Sequence, residues 1–138
     1  MARQLIRKKG SAVLTGSSAG NFLATATSTV YYGFVSQNQT GTEIARQVVI
    51  PFACIAKNFC VSVYNVPAGV ATSWTFTVRK NEADTALVVA IAGASQVNGE
   101  DTTNRVRFDR GDRICIKCDI VGVTADSMGR WGLELEKV

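Results

Sequence analysis

The sequence predicts an all-β protein: a single jelly-roll sandwich of about eight antiparallel strands behind an extended N-terminal arm. Three observations carry this. Apolar residues make up 46% of the 138-residue chain and charged residues 19%, enough to bury a core without cross-links. From residue 29 onward, short runs rich in β-branched and aromatic residues alternate with turn signals. No stretch carries a convincing 3.6-residue apolar stripe.

The elements follow in order. Residues 1–28 are basic at the start and then read "GSAVLTGSSAGNFLATATST" into the next run, with Leu14, Phe22 and Leu23 as the scattered large apolar groups. Gly, Ser, Ala and Thr dominate, so this segment is expected to be an arm that orders itself by lying on something else. The body, residues 29–138, opens with "TVYYGFVS". After the turn-like "QNQTGTE" come "RQVVIPF" and "CIAKNFCVSVYNV", the latter closed by Pro67-Ala68-Gly69. In "SWTFTVRKN", Trp74, Phe76 and Val78 fall on one face and Thr75, Thr77 and Arg79 on the other. Asn81-Glu82-Ala83-Asp84 reads as a hairpin turn. The "ADTALVVAIAGA" that overlaps it has the length of a helix, but Val88, Val89 and Ile91 favour a strand. "NRVRFD" alternates again, "RICIKCDIVGV" sets Ile114, Ile116, Cys118 and Ile120 on one face, and "RWGLELEKV" sets Trp131, Leu133 and Leu135 opposite Glu134 and Glu136. Trp74, Phe76, Val78, Ile114, Ile116, Ile120, Leu133 and Leu135 are the expected core.

The charge is unevenly placed. Arg3, Arg7, Lys8 and Lys9 account for the whole net charge of +4; without them the 15 basic residues fall to 11, matching 11 acidic ones. Such an arm can meet an acidic protein surface or, second in rank, nucleic-acid phosphates. The start is no secretory signal and no run reaches the roughly 20 apolar residues of a membrane span, so synthesis in the cytosol and no membrane contact are expected. The sequon Asn38-Gln39-Thr40 is then a chance match in a loop.

Several letters invite a chemical reading. Arg110-Gly111-Asp112 spells an adhesion tripeptide, but it sits between two alternating runs, where a short connection wants Gly for positive φ and Asp to cap the turn. Cys115 and Cys118 spell CxxC, yet three-residue spacing on a strand points the two thiols to opposite faces, and five residues separate Cys54 from Cys60. Free thiols without metal are expected. The chain has no histidine, which removes Ser-His-Asp and Cys-His machinery. The acidic pairs Glu100-Asp101 and Asp109/Asp112 read as turns, and the Gly-containing loops lack the lysine or helix of a phosphate cradle. No catalytic residue, cofactor or metal is expected.

The run from Trp74 to Ile120 ("WTFTVRKNEADTAL" through "DTTNRVRFDRGDRICIKCDI"), with "TEIARQVVIPFACIAKNFCVSV" upstream, resembles a pattern in small bacteriophage and prophage virion proteins. The resemblance covers residues 42 to 136; at "FACIAKNFC" the pattern more often has a Gly-rich turn. It implies a C1q- or TNF-like jelly roll that trimerises and serves as a capsid decoration protein, head fibre or tail-fibre tip, made in the host cytoplasm and residing in the virion. The expected attachment and interface residues are Arg3, Leu5, Ile6, Arg7, Lys8, Lys9, Leu14, Phe22 and Leu23 of the arm, with Tyr31 and Tyr32 as a candidate interface between copies. The partners so implied are the chain itself and a major capsid protein or other virion scaffold. The alternatives are a receptor- or glycan-binding fibre tip and a small coat protein whose basic arm touches the genome.

Overall fold

The computed structural model describes residues 10–18, 28–34, 39–67, 69, 72–123 and 127–138. They form ten strands: β1 (Ser11–Ser17), β2 (Ser28–Tyr32), β3 (Val48–Val49), β4 (Cys54–Val63), β5 (Ser73–Lys80), β6 (Ala83–Ala92), β7 (Asn98–Asp101), β8 (Val106–Phe108), β9 (Arg113–Val121) and β10 (Gly129–Lys137). The described residues hold no α-helix, only a 3-10 turn at Glu43–Arg46, so no helix there is long and apolar enough to cross a membrane.

All pairings are antiparallel. One sheet runs β1-β10-β4, with β7 and β8 sharing the far side of β4; the other runs β6-β5-β9, with β2 and β3 sharing the far side of β9. Taking β7/β8 and β2/β3 as two broken strands, this is the two-Greek-key order of a jelly roll. The sandwich is the predicted fold, and every residue of the expected core is buried.

The alternation seen in sequence is the inward-outward alternation of each strand. Trp74, Phe76 and Val78 of β5 share one buried cluster with Trp131, Leu133 and Leu135 of β10 in the opposite sheet. The Trp131 ring lies 5.1 Å from that of Tyr32 and 6.3 Å from that of Phe76. Trp131 Nε1 donates to the Gly33 carbonyl at 3.0 Å. A Cβ on Gly16 would stand 2.4 Å from that same nitrogen, so the β1 backbone closes over Trp131 only with glycine there.

In β4 the inward set changes parity, from Cys54 and Ala56 to Phe59, Val61 and Val63. The change is a bulge against β10. Asn58 takes it at φ 52, a left-handed conformation that Asn tolerates better than most residues, and its amide donates to Glu134 at 2.7 Å. The strand begins at Cys54 although the resembling pattern has a turn nearby.

Two expectations about the arm and its neighbours are corrected. Residues 11–17 of the supposed arm are a strand paired along all of β10, and Leu14 is packed against the chain's own core, not into a pocket on another protein. Tyr32 is 1% exposed, so its ring is core and offers no area to another copy. The physical reason is parity: Val30, Tyr32 and Phe34 share one face, and that face is the inside.

Candidate interaction surfaces

The outer faces of both sheets are laced with cross-strand charge pairs. On the β1-β10-β4 face, Lys57 stands 2.8 Å from Glu136 and 3.6 Å from Glu134, Arg105 reaches Glu136 at 2.8 Å, and the Ser11 hydroxyl donates to Glu134 at 3.0 Å. On the other face, Lys117 sits between Asp84 (2.6 Å) and Asp119 (3.4 Å), and Thr29 donates to Asp119 at 2.6 Å. These ladders pair Lys57, Arg105, Glu134 and Glu136 on one face and Lys117, Asp84 and Asp119 on the other.

The 3-10 turn is fastened by one forked ion pair. Arg79 Nε and Nη2 donate to the two Glu43 oxygens, each at 2.9 Å, and Arg79 also binds Asp84 and the Glu82 carbonyl. Hydrogen bonding from Arg79 holds the Glu43 carboxyl below its usual range. The turn itself buries no residue, and its Ile44 is 66% exposed. Beneath it the Cys115 thiol points at Glu43 Oε1, 3.5 Å away. Cys115 and Cys118 point to opposite faces, as their spacing predicts, yet both are buried, because the turn roofs Cys115 from outside. Burial and the neighbouring Glu43 carboxylate push the Cys115 thiol up to about 12, and burial pushes Cys118 and Cys54 up as well. Such thiols stay protonated at neutral pH and are poor nucleophiles or ligands. Cys60 is the exposed one, on the outer face beside Gly132. It lines an open depression of about 640 Å³ with Ser62, Arg130, Asn98 and Glu100.

The adhesion tripeptide is a turn component. Gly111 has φ 96. The Asp112 carboxylate accepts the Asp109 N–H at 2.7 Å and the Asn81 amide at 2.8 Å, with Lys80 Nζ at 3.2 Å. The Asp109 N–H first, then Asn81 and Lys80, hold it below the usual carboxylate range. It therefore ties its own turn to the Asn81-Glu82 hairpin, where both residues carry positive φ as a two-residue turn requires.

The sheet edges differ from one another. On β6, the edge away from β5 is capped by side chains. Asp101 Oδ2 accepts the Val88 N–H at 3.3 Å, and Gln96 accepts from the Ala92 N–H and donates to the Ala90 carbonyl, at 3.1 and 3.0 Å. β2 is bridged by Thr40 at Tyr31. Neither device has a clear signature in the sequence, although "DTTN" beginning at Asp101 is an Asx-turn signal. On β1, Gly10 and Ser18 bond to Lys137 and Gly129, which assigns the even-numbered residues between them to β10. The N–H and C=O groups of Ser11, Val13, Thr15 and Ser17 then point away from the sheet, and Val13 is 67% exposed.

Of the residues expected at an attachment site, Arg3, Leu5, Ile6, Arg7, Lys8, Lys9, Phe22 and Leu23 lie outside the described residues. Tyr31 is half-buried on the outer side of β2, paired with Lys117. Among the described residues no three of Cys, Asp and Glu gather as a metal site. Trp74 and Trp131 are interior, and among the described residues Tyr64, at 73%, is the one exposed aromatic. No family model matches the chain, and no curated protein does.

Proposed function

We propose that the chain is a non-enzymatic structural protein of a bacteriophage particle, a jelly-roll body that decorates the capsid as a cement or head-fibre protein. The observation that carries this is the separation of charge: the whole excess of +4 lies in residues 1–9, directly upstream of an edge strand. The rest of the chain is formally neutral, with 11 basic and 11 acidic residues, many of them paired across strands. A cationic segment leading off a neutral sandwich suits an acidic patch on a scaffold. Arg3, Arg7, Lys8 and Lys9 supply the charge there, and Leu5 and Ile6, with Phe22 and Leu23, supply apolar contact. The body's assembly into trimers comes from the resemblance, and Tyr31 on the outer side of β2 is the interface residue that remains eligible for it.

The test uses particles assembled without this protein. The full chain should bind them at saturating occupancy. The chain lacking residues 1–9 should keep its melting temperature and fail to bind. A truncated chain that still fills the particle would place attachment on the sandwich. Tight, steeply salt-dependent binding of the full chain to unrelated DNA would favour a genome-contacting coat protein instead.

A further inference from the structure

The edges of the two sheets point to a contact between copies that the attachment reading does not contain. An unpaired edge is a template for another strand, and proteins guard it with charge, proline, bulges or a cover. The β6 edge is covered by Asp101 and Gln96, and Tyr31 on β2 is bridged by Thr40. Among the described residues, β1 has none of these guards. Its sequence, SAVLTGS, has no charge and no proline, and its register against β10 is continuous. Among the described residues, no backbone group bonds to its outward N–H and C=O groups.

We propose that β1 pairs antiparallel with β1 of a second copy, centred on Leu14, to make one sheet continuous across both molecules. The occupant follows from self-complementarity. In that register Ser11 faces Ser17 and Val13 faces Thr15. These are the odd-numbered residues, so every outward N–H and C=O of the strand meets its counterpart at once. The outer-face pairs are Ser-Ser and Val-Thr, with no like charges opposed. The N-terminal ends of the two strands, which the basic residues precede in sequence, lie at opposite ends of the pair. A two-fold contact of this kind is isologous and closes on itself.

The contact is independent of the attachment reading and can be tested on the free protein. Sedimentation equilibrium of the full chain, from micromolar to near-millimolar concentration, should show a mass that doubles relative to the unit formed by Val13→Pro. That substitution removes one outward N–H and no bond to β10, a position where an edge strand tolerates proline. Val13→Lys, which keeps the N–H but guards the edge, should weaken the doubling at least about tenfold. Near-UV circular dichroism and the melting temperature report whether each variant folds; should the proline variant fail to fold, the lysine variant decides. A wild-type chain whose mass never doubles would overturn the proposal. So would doubling that persists with unchanged affinity in the folded variants.

Discussion

Replacing Asp101 by Ala should destabilise the sandwich at neutral pH and do so much less in acid. Asp101 is 8% exposed at the end of β7. Its Oδ1 accepts the N–H groups of Thr103 and Asn104 at 3.1 and 3.0 Å; its Oδ2 accepts the Asn104 amide at 2.9 Å and the Val88 N–H at 3.3 Å. A hydrogen bond to a charged group contributes about 1.5–3 kcal/mol when lost with its donor left dry, and much less where water replaces it. The three loop donors belong to the exposed Thr103 and Asn104, where water can take the carboxylate's place, while the Val88 N–H ties the loop to the β6 edge. The expected cost is therefore about 2–3 kcal/mol, the weight of one bond to a charged group plus the loosened turn. Burial pushes the carboxyl upward, but its hydrogen bonds outweigh that and hold it below the usual range. A depressed folded value contributes stability above the unfolded value of about 4, and loses it as pH falls through the folded value. Urea denaturation followed by tryptophan fluorescence should show the full gap between wild type and Asp101→Ala near pH 7 and a shrinking gap toward pH 3. Other carboxylates titrate alike in both proteins and cancel. A cost under about 0.5 kcal/mol, or an equal gap at both pH values, would refute the role given to this side chain.

Two further outcomes follow from the core and the thiols. Phe76→Ala should cost about 3–5 kcal/mol, because the ring is wholly buried beside Trp131; a loss under about 1 kcal/mol in a folded variant would contradict the packing described. In native protein a thiol reagent should modify Cys60 quickly and the other three slowly, with four modified after unfolding. Glu43→Gln should speed labelling of Cys115 several-fold by loosening the fork on Arg79, and an unchanged rate would show that the 3-10 turn does not depend on that pair.

Long strands were readable because their alternation is carried by large residues. Trp74-Phe76-Val78 and Ile114-Ile116-Cys118 announce both the strand and its inner face, and their hydrogen-bonded partners had no freedom to shift register without exposing them. β1 is hard to read because Leu14 is the one large residue on an inner face otherwise made of Ala12 and Gly16, and Trp131 requires glycine at position 16. The same composition reads as linker. β7, with the sequence NGED, reads as a turn; it is a strand because β4 offers it an edge and Asp101 holds it to β6. Tyr31 and Tyr32 are the same residue type, and only parity with Val30 separates the one outside from the one inside. The fastening of Glu43 to Arg79 spans 36 positions and has no local signature at all.

The proposal that this chain is an external component of a virus particle is tested most directly by cryo-electron microscopy of particles purified from cells that express it. The account predicts jelly-roll densities on the outer surface of the shell, each joined to an acidic patch of a capsid subunit through the residues that precede β1. Particles purified to homogeneity that lack the protein, or that hold it inside against the genome, would contradict it.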